Sequence, residues 1–389
     1  MKIILACEIY PPETGGPASF VKRILPFLKE SDFEAKVITY ADQNSKETDL
    51  IKIKRVSNLL FRYWHYFSAL WMLSKEADLI FAQGPTAAGL PAILVKKFSR
   101  LAFAPSKRVN KKVIIKVVGD VAWERSFNNG RVKEEINDFQ NKKYGFAVEM
   151  QKFLRSWTVK RADLVITPSQ YLKGIVAGWG VCPEKIQVIY NSSEAQVQAL
   201  AKNEAKQKLN LDGFIIFSSG RLTPWKGFAG LINLMPRFLA LKPDCKLLIA
   251  GSGPDEQNLK IKVKNLKLED KVIFAGQVAQ ADMPAYYSAA DLFILNSGYE
   301  GLSHALLEAL SYNLPTIASN IGGNSEVIHD NVNGLLFAYN NQDQIFDSVE
   351  QIFNNPQLVE KFNQESQKVL QGFGFQRMIN EYFTAFKNV

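Results

Sequence analysis

One stretch constrains the fold more than any other part of this chain: residues 291–310, which read DLFILNSGYEGLSHALLEAL. An apolar run of strand length is followed by turn residues, and Ser303 then precedes apolar positions at helical spacing. A strand that leads through a short loop into a helix places free backbone N–H groups and the positive end of the helix dipole at the edge of a sheet. The stretch therefore predicts an α/β sheet with a phosphate site at this edge.

Two carboxylates frame the predicted helix start. Glu300 lies in the loop, and Glu308 lies eight residues further on, in the second turn of the helix. A carboxylate does not suit a phosphate, but it accepts paired hydrogen bonds from sugar hydroxyls. The combination indicates a sugar nucleotide, although a loop charge and an exposed helix residue explain the two glutamates as well.

Strand and helix patterns alternate along the whole chain, which favours parallel sheets covered on both faces. The strands are predicted at residues 2–6, 35–40, 79–82, 113–118, 164–167, 186–190, 214–218, 246–250, 272–275, 292–295 and 316–318. A chain of 389 residues is too long for one ordinary core, and residues 191–207 are polar and rich in alanine. We therefore predict an α/β fold of two Rossmann-like, doubly wound domains, residues 1–193 and 194–371.

Cysteine and histidine usage excludes several classes of protein. Three cysteines and three histidines lack the spacing of a disulfide framework or a zinc site, and no Asp-x-Asp pair is present for a divalent metal. Residues 59–73 are apolar but contain Arg62 and His65, so they fall short of a membrane span. The sequence predicts a cytoplasmic protein without a metal.

The net charge of +9 is unevenly distributed. Residues 96–112 contain no acid and seven cations: Lys96, Lys97, Arg100, Lys107, Arg108, Lys111 and Lys112. Anionic lipid headgroups attract such a stretch by on the order of 1 kcal/mol per basic residue near the surface. No nucleic-acid motif accompanies the stretch. It predicts either a contact with the inner face of an anionic membrane or a solvated basic loop.

Two loops at predicted strand ends are candidate sites in the first half. Gly15 and Gly16 allow the backbone to approach a ligand closely at a helix start, although a plain strand-to-helix turn explains them equally well. Asp120 follows the strand at residues 113–118, at the edge where open α/β sheets bind ligands. It is a candidate for the acceptor side of a reaction or a loop-capping aspartate.

A phosphate clamp is predicted in the second half, at residues 220–227 with the sequence GRLTPWKG. Arg221 can hold two phosphate oxygens in a planar fork, and Lys226 supplies a point charge on a flexible stem. A diphosphate leaving group needs cations that neutralise it, which Arg221, Lys226 and the helix at Ser303 supply without a metal. The alternative is that both cations are surface charges. Glu256 stands where a dinucleotide-binding GxGxxG motif needs its third glycine, so we predict no nicotinamide or flavin.

Five motifs stand in order along the chain: PPETGGP, GRLTPWKG, AGSGP, GQV at residues 276–278, and EGLSHALLE, which fits an E-x7-E pattern. Together they resemble the retaining glycosyltransferases of family 4, over essentially the whole chain. The resemblance implies the GT-B fold, in which two Rossmann-like domains flank an interdomain cleft. It also implies that a C-terminal helix, within residues 372–389, packs back on the first domain.

The resemblance implies a role for each matching residue. Arg221 and Lys226 would bind the donor diphosphate, Glu300 the transferred sugar and Glu308 the ribose. The other implied donor contacts are the backbone amides of Leu302, Ser303 and His304, the base-bordering Gln277 and Val278, and Gly15 and Gly16. Many relatives carry a histidine in the first-domain catalytic loop, and Asp120 takes its place here as a base or an acceptor ligand.

The resulting hypothesis is a metal-independent, retaining hexosyltransferase without a cofactor. It moves a sugar from a UDP-sugar or GDP-sugar to a hydroxyl of a glycan or of a lipid-linked acceptor in polysaccharide or cell-envelope biosynthesis. A sugar-nucleotide epimerase of similar fold and a non-catalytic sugar-nucleotide-binding protein remain as alternatives.

Overall fold

The computed structural model describes residues 1–13, 15–42, 45–46, 48–101, 111–192 and 199–389. They form two compact units: unit 1 comprises Met1–Ile189 and Ile379–Val389, and unit 2 comprises Tyr190–Met378. The division falls a few residues before the boundary that we placed at residue 193. The end of the chain belongs to unit 1 from Ile379 onward, whereas we predicted that the chain returns to the first domain from residue 372.

Unit 1 is built on an eight-stranded sheet in the order β3-β4-β2-β1-β5-β6-β7-β8, parallel except for β3. Its strands are β1 Lys2–Ala6, β2 Glu34–Ala41, β3 Ser45–Lys46, β4 Leu50–Lys54, β5 Leu79–Gln83, β6 Lys112–Lys116, β7 Leu164–Thr167 and β8 Ile186–Val188. Its first seven helices are α1 Gly16–Lys29, α2 Leu59–Ser74, α3 Gly89–Leu101, α4 Val121–Asn128, α5 Ile136–Asn141, α6 Phe146–Val159 and α7 Gln170–Gly178.

Unit 2 is built on a six-stranded parallel sheet in the order β11-β10-β9-β12-β13-β14. Its strands are β9 Phe214–Ser219, β10 Cys245–Ala250, β11 Val272–Gly276, β12 Leu292–Leu295, β13 Thr316–Ser319 and β14 Leu335–Phe337. The remaining helices are α8 Lys202–Lys208, α9 Phe228–Leu241, α10 Glu256–Asn265, α11 Met283–Ala289, α12 His304–Ser311, α13 Gln342–Asn354, α14 Pro356–Leu370 and α15 Phe375–Lys387.

Both faces of each sheet are covered. Successive side chains of a strand point to opposite faces, so each strand contributes to a core on both sides. In β9, Ile216 belongs to the apolar core on one face, and Ile215 and Phe217 belong to the core on the other. In unit 1, Phe81 of β5 lies against Tyr382 and Phe386 from the end of α15, with ring centroids 5.7 and 5.0 Å away. The prediction of two doubly wound, Rossmann-like sheets is confirmed.

The strand order of unit 2 reverses at β9, which has β10 on one side and β12 on the other. The register joins β12 to β9 only at Leu292 with Ile216 and at Phe293 with Phe217. Both strands continue beyond these pairs, so their carboxyl ends diverge. Ligands of open α/β sheets bind in the crevice at such a switch point.

The structure corrects some predictions. The polar residues 125–144 were not predicted to join the core, but they include α5, whose Ile136 and Phe139 are fully buried. Helix α8 takes up part of the polar, alanine-rich residues 191–207 that we placed between the two domains. Strands β4 and β14 and helices α13 and α14 were not predicted. Among the helices that the structure describes, none combines the length and the apolar character needed to cross a membrane.

Candidate functional site

The two loops that flank the switch point of unit 2 carry an ion pair. Lys226 lies in a 3-10 turn after β9, and Glu300 lies in the loop between β12 and α12. The Lys226 Nζ donates to Glu300 Oε1 at 2.5 Å, with side-chain exposures of 18% and 11%. The pair therefore bridges the crevice where a ligand is expected, and solvent reaches both partners.

Backbone packing fixes the Lys226 loop. Gly227 has a φ of +65°, and a Cβ added there would lie 2.0 Å from the carbonyl oxygen of Asn296. The buried Asn296 side chain donates to Gly227 O at 3.0 Å and to Asn340 Oδ1 at 2.7 Å. Only glycine permits this close approach, and it holds the loop after β9 against the end of β12.

The Glu300 loop is held in a similar way. Gly322 has a φ of +62°, and an added Cβ would lie 2.1 Å from the carbonyl oxygen of Glu300. Gly323 N donates to that oxygen at 3.1 Å, and Gly298 N donates to Trp225 O at 2.6 Å. The Glu300 carboxylate is therefore carried by a backbone with little freedom, a condition for precise binding.

Arg221 differs from Lys226, although five residues separate them. Its neighbour Leu222 is fully buried and anchors the loop, but Arg221 itself is exposed. Within the described part of the chain, its guanidinium makes no hydrogen bond or ion pair. The fork is thus available for a phosphate in the same loop that carries Lys226.

The start of α12 has the geometry that the sequence predicted. The Ser303 Oγ accepts a hydrogen bond from Leu306 N at 3.4 Å, and apolar residues of the helix are buried behind it. Leu302 is buried, and its carbonyl accepts from Asn191 Nδ2 at 3.2 Å, while His304 is exposed. The helix N-terminus therefore follows directly on the loop of Glu300.

Glu308 is fixed by two side chains that the sequence did not single out. Tyr287 OH donates to Glu308 Oε2 at 2.7 Å, and Gln280 Nε2 donates to Oε1 at 3.3 Å. Burial, and then the Glu308 carboxylate, raise the pKa of Tyr287 well above its usual value, so the phenol stays a donor. Gln277, exposed, and Val278, half-buried, follow β11 in the stretch that leads to Gln280.

Asp120 occupies a different environment in unit 1. Its Oδ1 caps α4 by accepting from Ala122 N and Trp123 N at 3.0 and 3.2 Å. Its Oδ2 accepts from Gln140 Nε2 and from the guanidinium of Arg155, and the carboxylate is fully buried. This placement favours the loop-capping interpretation, and a direct role in a reaction stays a prediction.

Gly15 and Gly16 lie at the start of α1, which follows β1 at the centre of the unit 1 sheet. Gly15 is the N-cap residue, and a Cβ added to Gly16 would have no atom within 4 Å. The space beside Gly16 is consistent with a ligand contact, which stays a prediction.

The predicted basic stretch is not one exposed surface. Lys96 is buried, where it pairs with Asp163 at 2.7 Å and donates to Arg161 O at 3.0 Å. Lys111 is also buried and donates to Ala77 O at 2.6 Å, and burial lowers its pKa. The grouping of these two lysines with a membrane surface was therefore wrong, because both side chains are buried and bonded inside unit 1.

The structure describes only some of the other cations of the stretch. Lys97 is exposed and Lys112 is half-buried in β6. Lys107 and Arg108 lie outside the described residues, and so does the side chain of Arg100. No cluster of three or more His, Cys, Asp or Glu side chains suited to a metal ion occurs in the described ranges.

Comparison with known proteins identifies the family. Residues 201–369 match the model of the glycosyl transferases group 1. An uncharacterised glycosyltransferase of Methanocaldococcus jannaschii is 30% identical over 372 residues, which cover 91% of this chain and 90% of that protein. The chain belongs to the group 1 glycosyltransferases.

Other relatives of this glycosyltransferase have a lower sequence identity or align over a smaller part of their own length. The alpha-monoglucosyldiacylglycerol synthase of Streptococcus pneumoniae is 23% identical over 98% of this chain and 85% of its own length. Two further relatives align over only 50% and 39% of their own lengths. Membership of family 4 within the group stays a prediction.

The crystal structure of HepE from Anabaena in complex with UDP and glucose superimposes with a TM-score of 0.80. It covers the whole of both chains at 18% identity. This similarity shows that the fold of the glycosyltransferase is GT-B.

Proposed function

We propose that this glycosyltransferase moves a sugar from a nucleoside diphosphate sugar to an acceptor hydroxyl, with retention at the anomeric carbon. The observation that carries the proposal is the Lys226–Glu300 pair at the switch point of unit 2. It joins a cation for the diphosphate to a carboxylate for sugar hydroxyls, next to the exposed fork of Arg221. The cations suit the diphosphate of a sugar nucleotide, and the carboxylate suits its sugar.

Donor binding requires the ion pair to open. A diphosphate carries more charge than a single carboxylate and competes with Glu300 for Lys226. When the phosphate takes the lysine, Glu300 is released to accept hydrogen bonds from the sugar hydroxyls. The pair thus keeps two ligand-binding charges neutralised until the donor replaces one partner with another.

The transfer step places its charge where the site has cations. The bond from the anomeric carbon to the diphosphate oxygen breaks on the same face on which the bond to the acceptor oxygen forms. A donor phosphate oxygen takes the acceptor proton, so no protein nucleophile is needed. Arg221, Lys226 and the start of α12 stabilise the departing diphosphate more strongly than the intact donor. We propose that they do so without a metal ion.

UDP is the first nucleotide to test, because HepE was crystallised with UDP. In this proposal Glu308, held by Tyr287, binds the ribose, and Gln277 and Val278 border the base. Gly15 and Gly16 are further donor contacts, and Asp120 belongs to the acceptor side. The name of the pneumococcal relative describes a lipid glycoside, which supports a lipid-linked or envelope glycan as the acceptor.

The test is donor-dependent transfer measured with EDTA present. Lys226→Ala and Glu300→Ala are compared with Arg237→Ala, which removes an exposed cation paired with Asp343 in the same unit. The first two variants should lose at least 100-fold in kcat/KM, and the third should keep wild-type activity. Full turnover in both site variants would refute the site, and loss of wild-type activity on chelation would refute the metal-free mechanism.

The same assay separates the alternatives. An epimerase converts the donor when no acceptor is present, so product analysis of that reaction identifies it. A non-catalytic binding protein raises its melting temperature with nucleoside diphosphates yet forms no product. Either result in the wild-type protein would replace the transferase proposal.

A further inference from the structure

Helix α2 exposes large apolar side chains to solvent. Leu60 is 83% exposed, Phe61 and Trp64 are each 61% exposed, and Met72 is 63% exposed. The face toward the core is different, because Tyr66, Leu70 and Ser74 are buried there at intervals of four residues. The Tyr66 hydroxyl donates to the carbonyls of Cys7 and Ile38 at 3.1 Å and ties that face to the sheet. The apolar outer face is therefore surplus to the core.

The apolar surface continues onto α3. Phe98 of α3 is 47% exposed, and its ring lies 5.9 Å from that of Phe67 in α2. Phe67 in turn lies 5.9 Å from Trp64 and 6.1 Å from Trp71. We call the exposed members Leu60, Phe61, Trp64, Met72 and Phe98 the aromatic face. Contiguous exposed apolar surface of this kind marks an interaction site.

Positive charge predominates around the aromatic face. The segments of α2 and α3 contain no aspartate or glutamate. Lys97 is exposed beside Phe98, and Lys75 is exposed at the end of α2, where the exposed Glu76 follows it. A second copy of this chain, related by a twofold axis, would bring the same cations together, which disfavours a symmetric contact. Charge complementarity calls for an anionic partner.

We propose that the aromatic face docks unit 1 onto an anionic lipid surface. Trp and Phe side chains settle at the headgroup boundary, and lysines beside them meet the lipid phosphates. Lys97 is the one exposed cation that the structure describes in the basic stretch of residues 96–112. The docking surface therefore lies mainly on α2. This inference does not depend on the transfer chemistry, because lipid binding is measured without a donor.

Sedimentation with vesicles tests the surface. The full chain is mixed with vesicles of phosphatidylcholine containing a third phosphatidylglycerol at low salt, and with phosphatidylcholine alone. Binding should require the anionic lipid. The double variant Phe61→Ser, Trp64→Ser should reduce the partition coefficient at least tenfold, and Lys97→Gln should reduce it about fivefold. All three side chains are exposed, so these variants should fold.

A control variant removes two exposed apolar side chains elsewhere. Leu241→Ser with Ile261→Ser alters residues of unit 2 that are 41% and 50% exposed, and it should leave partitioning unchanged. No sedimentation with anionic vesicles, or equal sedimentation of the two double variants, would overturn the proposal. So would a dimer that the Phe61, Trp64 change converts to a monomer, since the face would then be an interface between copies.

Discussion

Two ion pairs, one in each unit, lie just beyond a strand of a parallel sheet and have opposite environments. In unit 1, Asp120 and Arg155 are 0% and 3% exposed, and Gln140 bonds to both partners. In unit 2, Lys226 and Glu300 bond to each other and remain 18% and 11% exposed. The first pair is enclosed by protein, and the second borders a crevice where two strands diverge.

This difference is why we propose that the second pair, and not the first, exchanges a partner with a ligand. Arg155 also stacks on the Trp179 ring at 4.2 Å, so breaking the Asp120 pair would disturb several helices at once. Among the residues that the structure describes, no second side chain bonds to both Lys226 and Glu300, and their loops are already fixed by glycine packing. In our proposal, a ligand therefore exchanges one partner of the second pair while both loops keep their fold.

The largest expected effect comes from breaking the enclosed pair. Arg155→Met should reduce the free energy of unfolding by about 3–5 kcal/mol, because it leaves a buried carboxylate uncompensated. Urea unfolding followed by tryptophan fluorescence measures it, since five of the six tryptophans, all except Trp225, lie in unit 1. Lys226→Met should change the stability by only about 1 kcal/mol.

A double variant checks that explanation. Asparagine also caps helices, so Asp120→Asn combined with Arg155→Met removes both charges and keeps the cap on α4. The double variant should be more stable than Arg155→Met alone. If it is less stable, the loss arises from packing around Arg155 and the comparison of the two pairs fails.

Local sequence patterns predicted much of the fold. Strand β7 at Leu164–Thr167 and strand β12 at Leu292–Leu295 have the predicted bounds, because each is a dense apolar run with clear end signals. α5 was missed because Ile136 and Phe139 stand alone among polar residues. Apolar periodicity locates elements where it is dense and fails where two side chains anchor a whole segment.

The charged residues were harder to interpret, because their partners are distant in the chain. Arg155 lies 35 residues from Asp120, and Lys226 lies 74 residues from Glu300. Nothing local distinguishes an aspartate that will be enclosed from a glutamate that will border a crevice. For the same reason, the sequence did not indicate that Lys96 pairs with Asp163.

Glu300→Gln sharpens the comparison from the side of unit 2. Transfer should fall about 100-fold, because the amide cannot accept the same charged hydrogen bonds from the sugar. UDP without a sugar should bind about fivefold more tightly, because Lys226 no longer has a carboxylate to leave. Calorimetry with UDP and steady-state kinetics measure the two effects, and Asp343→Asn is the exposed control. Weaker UDP binding in the variant would contradict the exchange of partners.

Lys116 tests whether a buried charge in unit 1 lowers the free energy of unfolding. Burial, and then Arg23, lower its pKa to about 7, while the Phe20 ring lies 3.5 Å from its Nζ. Between pH 7 and its unfolded value of 10.5 the unfolded chain binds more protons, so this group's contribution to stability rises with pH and is lowest at pH 7 and below. Lys116→Met should therefore stabilise the protein by about 2 kcal/mol at pH 7, after the cation–π contact offsets part of the shift.

The pH dependence distinguishes this effect from a change in packing. The advantage of Lys116→Met should shrink as urea unfolding is repeated at higher pH toward 10. A constant advantage at all pH values would show that the methionine packs better and that the charge is not responsible. Lys97→Met, an exposed lysine of the same unit, should show no pH-dependent difference from wild type.

The smallest expected effect concerns a buried group that acts on an accessible one. Tyr287→Phe removes the hydrogen bond to Glu308 Oε2 and keeps the ring against Phe217 and Tyr312. The donor KM should rise about fivefold while kcat changes little, because Tyr287 orients the proposed ribose ligand and does not touch the breaking bond. Tyr286→Phe, whose ring also lies near Phe217 at 6.2 Å, is the matched control. If kcat falls instead and KM stays constant, the ribose role of Glu308 is wrong, since a contact remote from the reacting carbon would then act only in the transition state.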